Sequence, residues 1–149
     1  MRSGYDLAWH SAQQAGLPRY MAVCLIAGYL WLAAGGILWL LFAKFFSAGP
    51  RYDAMLHSIF LGFVFSMIFA HAPIILPTIT GMALPFRNSF YLHTGLLHIS
   101  LLLRVLGDLG LWLSLQQWGG LLNTLTILIF LINNVRAVKL GAIAVAKAS

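Results

Sequence analysis

The sequence predicts an all-α integral membrane protein: a four transmembrane helix bundle with an N-terminal interfacial helix. Hydrophobic residues make up 61% of the 149 positions and charged residues only 8%, whereas a soluble domain carries about 25% charged residues. Each span needs roughly 20 apolar residues, so the length allows about four spans. We therefore expect one membrane domain, residues 1–149, surrounded by lipid.

Four apolar runs mark the expected spans, at about residues 20–43, 54–77, 90–113 and 119–140. Residues 1–19 mix aromatic and polar side chains, a pattern typical of a helix at the bilayer surface. Proline at position 73 predicts that the second span weakens there and that an irregular connector follows, up to about Pro85. Gly28 and the Ala-Ala-Gly-Gly run at 33–36 give the first span a smooth face for a neighbouring helix or a flat cofactor.

The formal net charge is +6, but the basic residues punctuate the apolar runs and form no stripe, so nucleic acid is not an expected partner. Six bases fall on the side of both termini and two on the other side, so the positive-inside rule places both termini in the cytoplasm. The six are Arg2, Arg19, Arg87, Arg136, Lys139 and Lys147, and the two are Lys44 and Arg51.

Four histidines lie within apolar runs: His57 and His71 in the second span, His93 and His98 in the third. Polar groups at that depth are costly and usually have a functional or pairing role. His57 and His71 are 14 residues apart, so an ideal helix places them within about 40° of one face and about 21 Å apart along its axis. A similar spacing occurs where one helix supplies a ligand to each of two stacked b-type haems.

The second and third spans run antiparallel, so His71 is expected near His93 and His98. Two facing imidazoles bind haem b well, and the deeper His98 is the preferred partner of His71, with His93 as a supporting group or alternate ligand. Haem propionates need cations, which Arg87, Arg19 and Arg136 would provide on the same side. The alternative is that these histidines hydrogen-bond between helices and only stabilise the bundle.

Arg104 and Asp108 are four residues apart on one helix face, which predicts an ion pair. Asp108 also lies at about the depth of His57. Either the pair is structural, or Asp108 orients His57 for a metal or for proton transfer.

The stretches LHSIFLGFVFSMIFAHAP and LLLRVLGD resemble the NnrS family of bacterial membrane proteins, over roughly residues 57–108. The resemblance implies haem and copper binding in a bacterial inner membrane, in nitric oxide and denitrification chemistry. His57 and His71 would be ligands, and Arg104 the arginine embedded in a span. Members of that family are considerably longer, so the chain is expected to be a stand-alone module or a subunit of a larger assembly.

Together these observations predict a haem-binding membrane protein that works in electron transfer or nitric oxide-related redox chemistry, with other membrane subunits as partners. The first alternative is a cofactor-free accessory subunit of a respiratory or photosynthetic complex. The second is a proton or solute pathway that uses His57, Arg104 and Asp108.

Overall fold

The computed structural model describes residues 4–45, 47–81 and 86–146, with side chains described for 16–44, 47–79, 81 and 86–139, and over these residues its regular structure is entirely helical. Four stretches are long and apolar enough to cross a bilayer. We call them the first to fourth spans: Gly16–Phe42, Pro50–Ile79, Phe90–Gly110 and Leu113–Lys139. The predicted all-α bundle of four spans is confirmed, and the chain is a multi-pass membrane protein.

The first span belongs to helix α1 (Gly4–Phe42), which is continuous through Pro18. The N-terminal segment is helical as predicted, and it runs into the span without a break although Gly16 and Pro18 are residues that often mark a helix end. Residues 1–3 and the side chains of 4–15 lie outside the described residues. The position of this segment at the bilayer surface therefore stays a prediction.

The second span consists of helix α2 (Pro50–His57), a π-helical segment (Ser58–Val64) and helix α3 (Phe65–Thr80). The irregular connector predicted after Pro73 is wrong as far as Thr80, because both Pro73 and Pro77 lie inside α3. Each proline removes one backbone donor. Leaving the helix inside lipid would expose several more backbone groups, so the helix continues.

Helix α3 ends where Gly81 adopts a left-handed conformation, with φ of 66°. Its N–H donates to the carbonyl of Pro77 at 2.9 Å, a helix ending for which glycine is suited because it has no Cβ. The connector is therefore shorter than predicted and begins at Gly81. Residues 82–85 lie outside the described residues, so the expected irregularity of that part stays a prediction.

The π-helical segment changes the angle between His57 and His71. Its backbone hydrogen bonds run i→i+5 instead of i→i+4, so its turns are wider than those of an α-helix. The predicted offset of about 40° assumed 3.6 residues per turn throughout. Seven of the residues between the two histidines do not follow that geometry, so the alignment expected for an ideal helix does not apply.

The third and fourth spans form a tight hairpin of helices α4 (Phe90–Gly110) and α5 (Leu113–Ala146). The third span ends three residues before the predicted position 113, and the fourth begins six residues before the predicted position 119. Leu111 adopts φ of 56°, and the Trp112 N–H donates to the Gly107 carbonyl at 2.9 Å. This left-handed ending reverses the chain within two residues, so no longer loop is needed.

Glycines bring the first two spans into close contact. A Cβ on Gly28 would lie 2.9 Å from Met67 Cε, and one on Gly35 would lie 2.7 Å from Ile59 Cγ1. Gly62 plays the same part on the second span, where a Cβ would overlap the Trp31 side chain of the first span. The smooth face predicted for the first span is thus used for helix packing, as small residues commonly are in membranes.

The bundle interior has one cluster of buried residues near each end. At the first end Tyr20 packs on Phe86 and Phe90, and we call this the connector end. At the other end Leu101 and Val105 pack near Ala54, and we call this the Arg104 end. Large apolar side chains cover the outside of all four spans, as expected of a surface that faces lipid.

Gly62→Ala should lower the free energy of unfolding by about 1–3 kcal/mol, because the added methyl group overlaps Trp31. Gly36→Ala is the matched control, since no atom lies within 4 Å of its Cβ position. It should be neutral or stabilising by up to about 1 kcal/mol, because alanine favours helix. Unfolding of both variants in one detergent tests this, and equal losses would contradict the close packing described here.

Candidate functional site

His71 lies on α3 with one ring nitrogen bound by its own helix. Its Nδ1 is 2.8 Å from the Met67 carbonyl oxygen. A carbonyl only accepts hydrogen bonds, so Nδ1 carries the proton and Nε2 keeps its lone pair in the neutral ring. Histidines that ligate metals usually donate their other N–H in this way. His71 is therefore held in the tautomer that a metal ligand needs.

His71 also lines an open groove between α3 and the C-terminal half of the fourth span. The groove has a volume of about 730 Å³, within the range of roughly 300–1,000 Å³ typical of small-molecule sites. We call it the His71 groove. It is lined by Val64, Met67, Ile68, His71, Ala72, Ile75, Leu76, Phe130, Leu131, Asn134, Val135, Val138 and Lys139. It is thus an apolar site with very few polar groups.

Two of those polar groups, Asn134 and Lys139, were not predicted as site residues. The sequence placed Asn134 in a polar stripe of the fourth span and used Lys139 only to orient the chain. Asn134 is buried, and its Nδ2 donates to the Phe130 carbonyl at 2.8 Å. Lys139 is exposed at the connector end. Both residues lie on the side of α5 that faces the groove. The sequence could not identify them, because it does not specify how the helix is rotated about its axis.

His98 faces the first span. The indole Nε1 of Trp31 donates to His98 Nδ1 at 3.0 Å, and because an indole N–H only donates, Nε2 must carry the proton in the neutral ring. Nε2 is buried without a hydrogen-bond partner among the described residues. Neither nitrogen then offers a lone pair to a metal, and His98 does not line the His71 groove. This arrangement weighs against the predicted pairing of His71 with His98.

His93 is buried in a hydrogen-bond chain at the connector end. Its Nε2 is 3.3 Å from the hydroxyl of Tyr20, which lies 3.0 Å from Thr94 Oγ1. The Thr94 hydroxyl donates to the Phe90 carbonyl, so Tyr20 donates to Thr94 and accepts from His93. Rings of Phe69, Phe90 and Phe130 surround the imidazole. His93 links helices and lies outside the groove lining.

His57 lies at the Arg104 end, and its Nδ1 is 2.7 Å from the Asp53 carbonyl. It therefore has the same tautomer as His71, with the Nε2 lone pair available. It is near enough to Asp108 to interact with its charge. Among the described residues, however, no group of three His, Cys, Asp or Glu side chains is placed to hold a metal ion.

Arg104 is held by three acceptors from three helices. Nε is 3.2 Å from Asp108 Oδ2, Nη2 is 3.4 Å from Asp53 Oδ2, and Nη1 donates to the Gln116 carbonyl at 2.9 Å. Asp108 is 1% exposed, whereas the Asp53 side chain is 48% exposed. Gly119 lets the fourth span approach the Arg104 backbone, since a Cβ there would lie 2.6 Å from its nitrogen. The network joins the ends of three helices.

The three arginines expected to hold propionates are all exposed at or near the connector end: Arg19, Arg87 and Arg136. None of them lines the His71 groove. The cation that does so is Lys139.

A protein-family model matches residues 1–139, which include all four spans. The chain belongs to the DUF8744 family. That family is described as a domain of unknown function, so membership assigns no activity to the groove. No curated protein and no solved structure matches the chain. The resemblance to the NnrS family stays a prediction.

Asp108→Asn and Asp53→Asn remove two carboxylates from the same arginine and differ in burial. Losing the buried Asp108 should cost about 3–5 kcal/mol, because it leaves Arg104 partly uncompensated in low dielectric. Losing the half-exposed Asp53 should cost less than about 1 kcal/mol. Thermal unfolding of both variants measures this.

The double variant Arg104→Leu with Asp108→Asn is expected to recover much of the loss caused by Asp108→Asn, since it removes the unpaired cation. Equal destabilisation by the two single variants, or no recovery in the double variant, would rule out a buried structural pair.

Proposed function

We propose that this DUF8744 protein is a subunit of a larger membrane assembly that binds haem b at His71 and serves nitric oxide-related redox chemistry or electron transfer. The observation that carries the proposal is the His71 ring, whose Nδ1–H is held by the Met67 carbonyl while the residue lines an apolar groove. Such a ring is preorganised to ligate iron. The local resemblance to the NnrS family supports the same chemistry.

The groove residues fit a haem in three respects. The volume of about 730 Å³ suits a flat ligand of drug size or larger. The walls are aliphatic and aromatic, which suits a porphyrin face. The aliphatic stem of Lys139 lines the groove at the connector end, so its ammonium would be near enough to stabilise an anionic edge that projects there.

Residues of the groove would bind the haem iron and exclude water from it. His71 would supply a nitrogen that binds the iron, and the Met67 carbonyl would fix the ring and raise the basicity of Nε2. The apolar side chains, among them Ile68 and Phe130, would keep water away from the iron side of the groove. A bound haem would supply one-electron chemistry or a binding position for a diatomic gas.

Among the described residues, His71 is the one histidine that lines the groove. This favours nitric oxide-related chemistry over electron transfer. His98, the predicted second ligand, would have to give up its bond with Trp31 and move its proton before it could bind iron. A single protein ligand leaves a coordination position open, which suits nitric oxide-related chemistry better than a bis-histidine electron carrier. A copper centre built from this chain alone is not proposed, because the described residues hold no group of three donors.

The alternative is a cofactor-free accessory subunit. Only 17% of the most apolar part of the first span is buried within the described chain, so most of this span faces outward. That outward surface would suit a neighbouring subunit as well as lipid. The proton or solute pathway has less support, because Arg104 is engaged by three acceptors and acts as a fixed support.

His71→Gln should remove most of the bound haem, and His57→Gln is the matched control because it lies in the same span with the same type of bond to a carbonyl. The measurement is the ratio of Soret absorbance to protein after purification in detergent. The reduced spectrum should be high-spin, without the sharp α band of two histidine ligands. Haem retention in the His71 variant, or absence of haem from the wild-type protein, would contradict the proposal.

We further propose a bacterial inner membrane location with both termini in the cytoplasm, because six of the eight bases that lie outside the predicted spans or near the end of the fourth fall on that side. Reporter fusions at Ser149 and at Gly49 should give opposite signals, with Ser149 cytoplasmic. A periplasmic signal at Ser149 would overturn this orientation.

A further inference from the structure

Lys139 is the one charged side chain that lines the His71 groove among the residues that the structure describes. It lies five residues beyond Asn134 on α5, about 7 Å further along the helix axis, toward the connector end. The groove surface is almost entirely apolar, so the aliphatic stem of the exposed Lys139 lines it, and the ammonium lies beyond the stem at that end of the groove.

No carboxylate among the described side chains neutralises this cation. The two described acidic side chains, Asp53 and Asp108, both bind Arg104 at the opposite end of the bundle. Asn134 carries no charge, and one of its two amide N–H groups already donates to the Phe130 carbonyl, so it can offer at most one neutral hydrogen bond. Lys139 therefore has the position and charge to receive an anionic group from a ligand.

We propose that Lys139 is the specificity-determining residue of the His71 groove, and that it selects ligands with an apolar body and a carboxylate at one end. This inference rests on the proposed function, in which the ligand is haem and the carboxylates are its propionates. In this proposal Lys139 takes the propionate contact that the sequence assigned to Arg19, Arg87 and Arg136. Those three arginines do not line the groove.

Arg136 provides a matched control, because it is an exposed base on the same helix, three residues earlier, and does not line the groove. A general effect of positive charge near the membrane surface would appear equally in both positions. An effect of the groove would appear only at Lys139.

The experiment titrates purified protein in nanodiscs of neutral phosphatidylcholine with three ligands: haem, haem dimethyl ester and iron-free protoporphyrin IX. The proteins are the wild type, Lys139→Ala, Lys139→Arg, Arg136→Ala and His71→Gln. Lys139→Ala should weaken haem and protoporphyrin IX binding roughly fivefold, the effect of a partly exposed ion pair. It should leave the ester unchanged, while Lys139→Arg and Arg136→Ala bind all three ligands as the wild type does.

The outcomes separate this inference from the proposed function. If haem affinity depends on His71 but Lys139→Ala has no effect, or weakens the ester equally, the specificity role of Lys139 is wrong and haem ligation stands. If protoporphyrin IX binding depends on Lys139 while haem affinity ignores His71, the ligation is wrong and the selection stands. If no porphyrin binds, both are overturned.

Discussion

Hydrocarbon gives polar side chains no hydrogen-bond partners, and the bundle is arranged around this constraint. Arg104 shows it most directly. Its guanidinium group lies within a span and is bound by Asp108 on its own helix, by Asp53 on α2 and by the Gln116 carbonyl on α5. These contacts need the close approach that Gly119 permits. The position of three helix ends thus follows from one buried charge.

The same constraint divides the histidines into two groups. His93 is buried and His98 half-buried, and each shares a hydrogen bond with a side chain of the first span, Tyr20 or Trp31. One ring nitrogen of each helps to hold the first span against the third. His57 and His71 instead satisfy one nitrogen with a carbonyl of their own helix, so the bundle makes no use of the other. A nitrogen without a role in folding is the one that a ligand can take.

The sequence predicted the elements of the fold that depend on composition and spacing. Apolar runs located the four spans, the small residues around Gly28 indicated helix packing, and the four-residue spacing of Arg104 and Asp108 placed them within contact distance. It could not predict the π-helical segment Ser58–Val64, because the wider turn has no local sequence signal. It misjudged Pro73 because the rule that proline ends a helix is weaker in lipid than in water.

Which histidine contacts which partner depends on helix rotation, and this explains the largest difference in the site. Depth alone placed His71 beside His98, since both lie toward the same end of antiparallel spans. Depth does not specify direction, and His98 turns toward Trp31 while His71 turns toward the fourth span. The groove itself arises where α3 and the fourth span leave a gap between them, so its lining by Lys139 could not be read from either segment alone.

A groove open to lipid also changes which interactions can make binding specific. In water, an apolar groove attracts any apolar ligand because burial removes surface from the solvent. In a bilayer, acyl chains already fill such a groove, so apolar contact with another molecule adds little net free energy. The two groups whose interactions lipid chains cannot replace are the lone pair of His71 and the ammonium of Lys139. If the proposed function holds, selectivity in this groove would depend on a coordinate bond and an ion pair, and a ligand with both a metal and an anionic edge would be favoured.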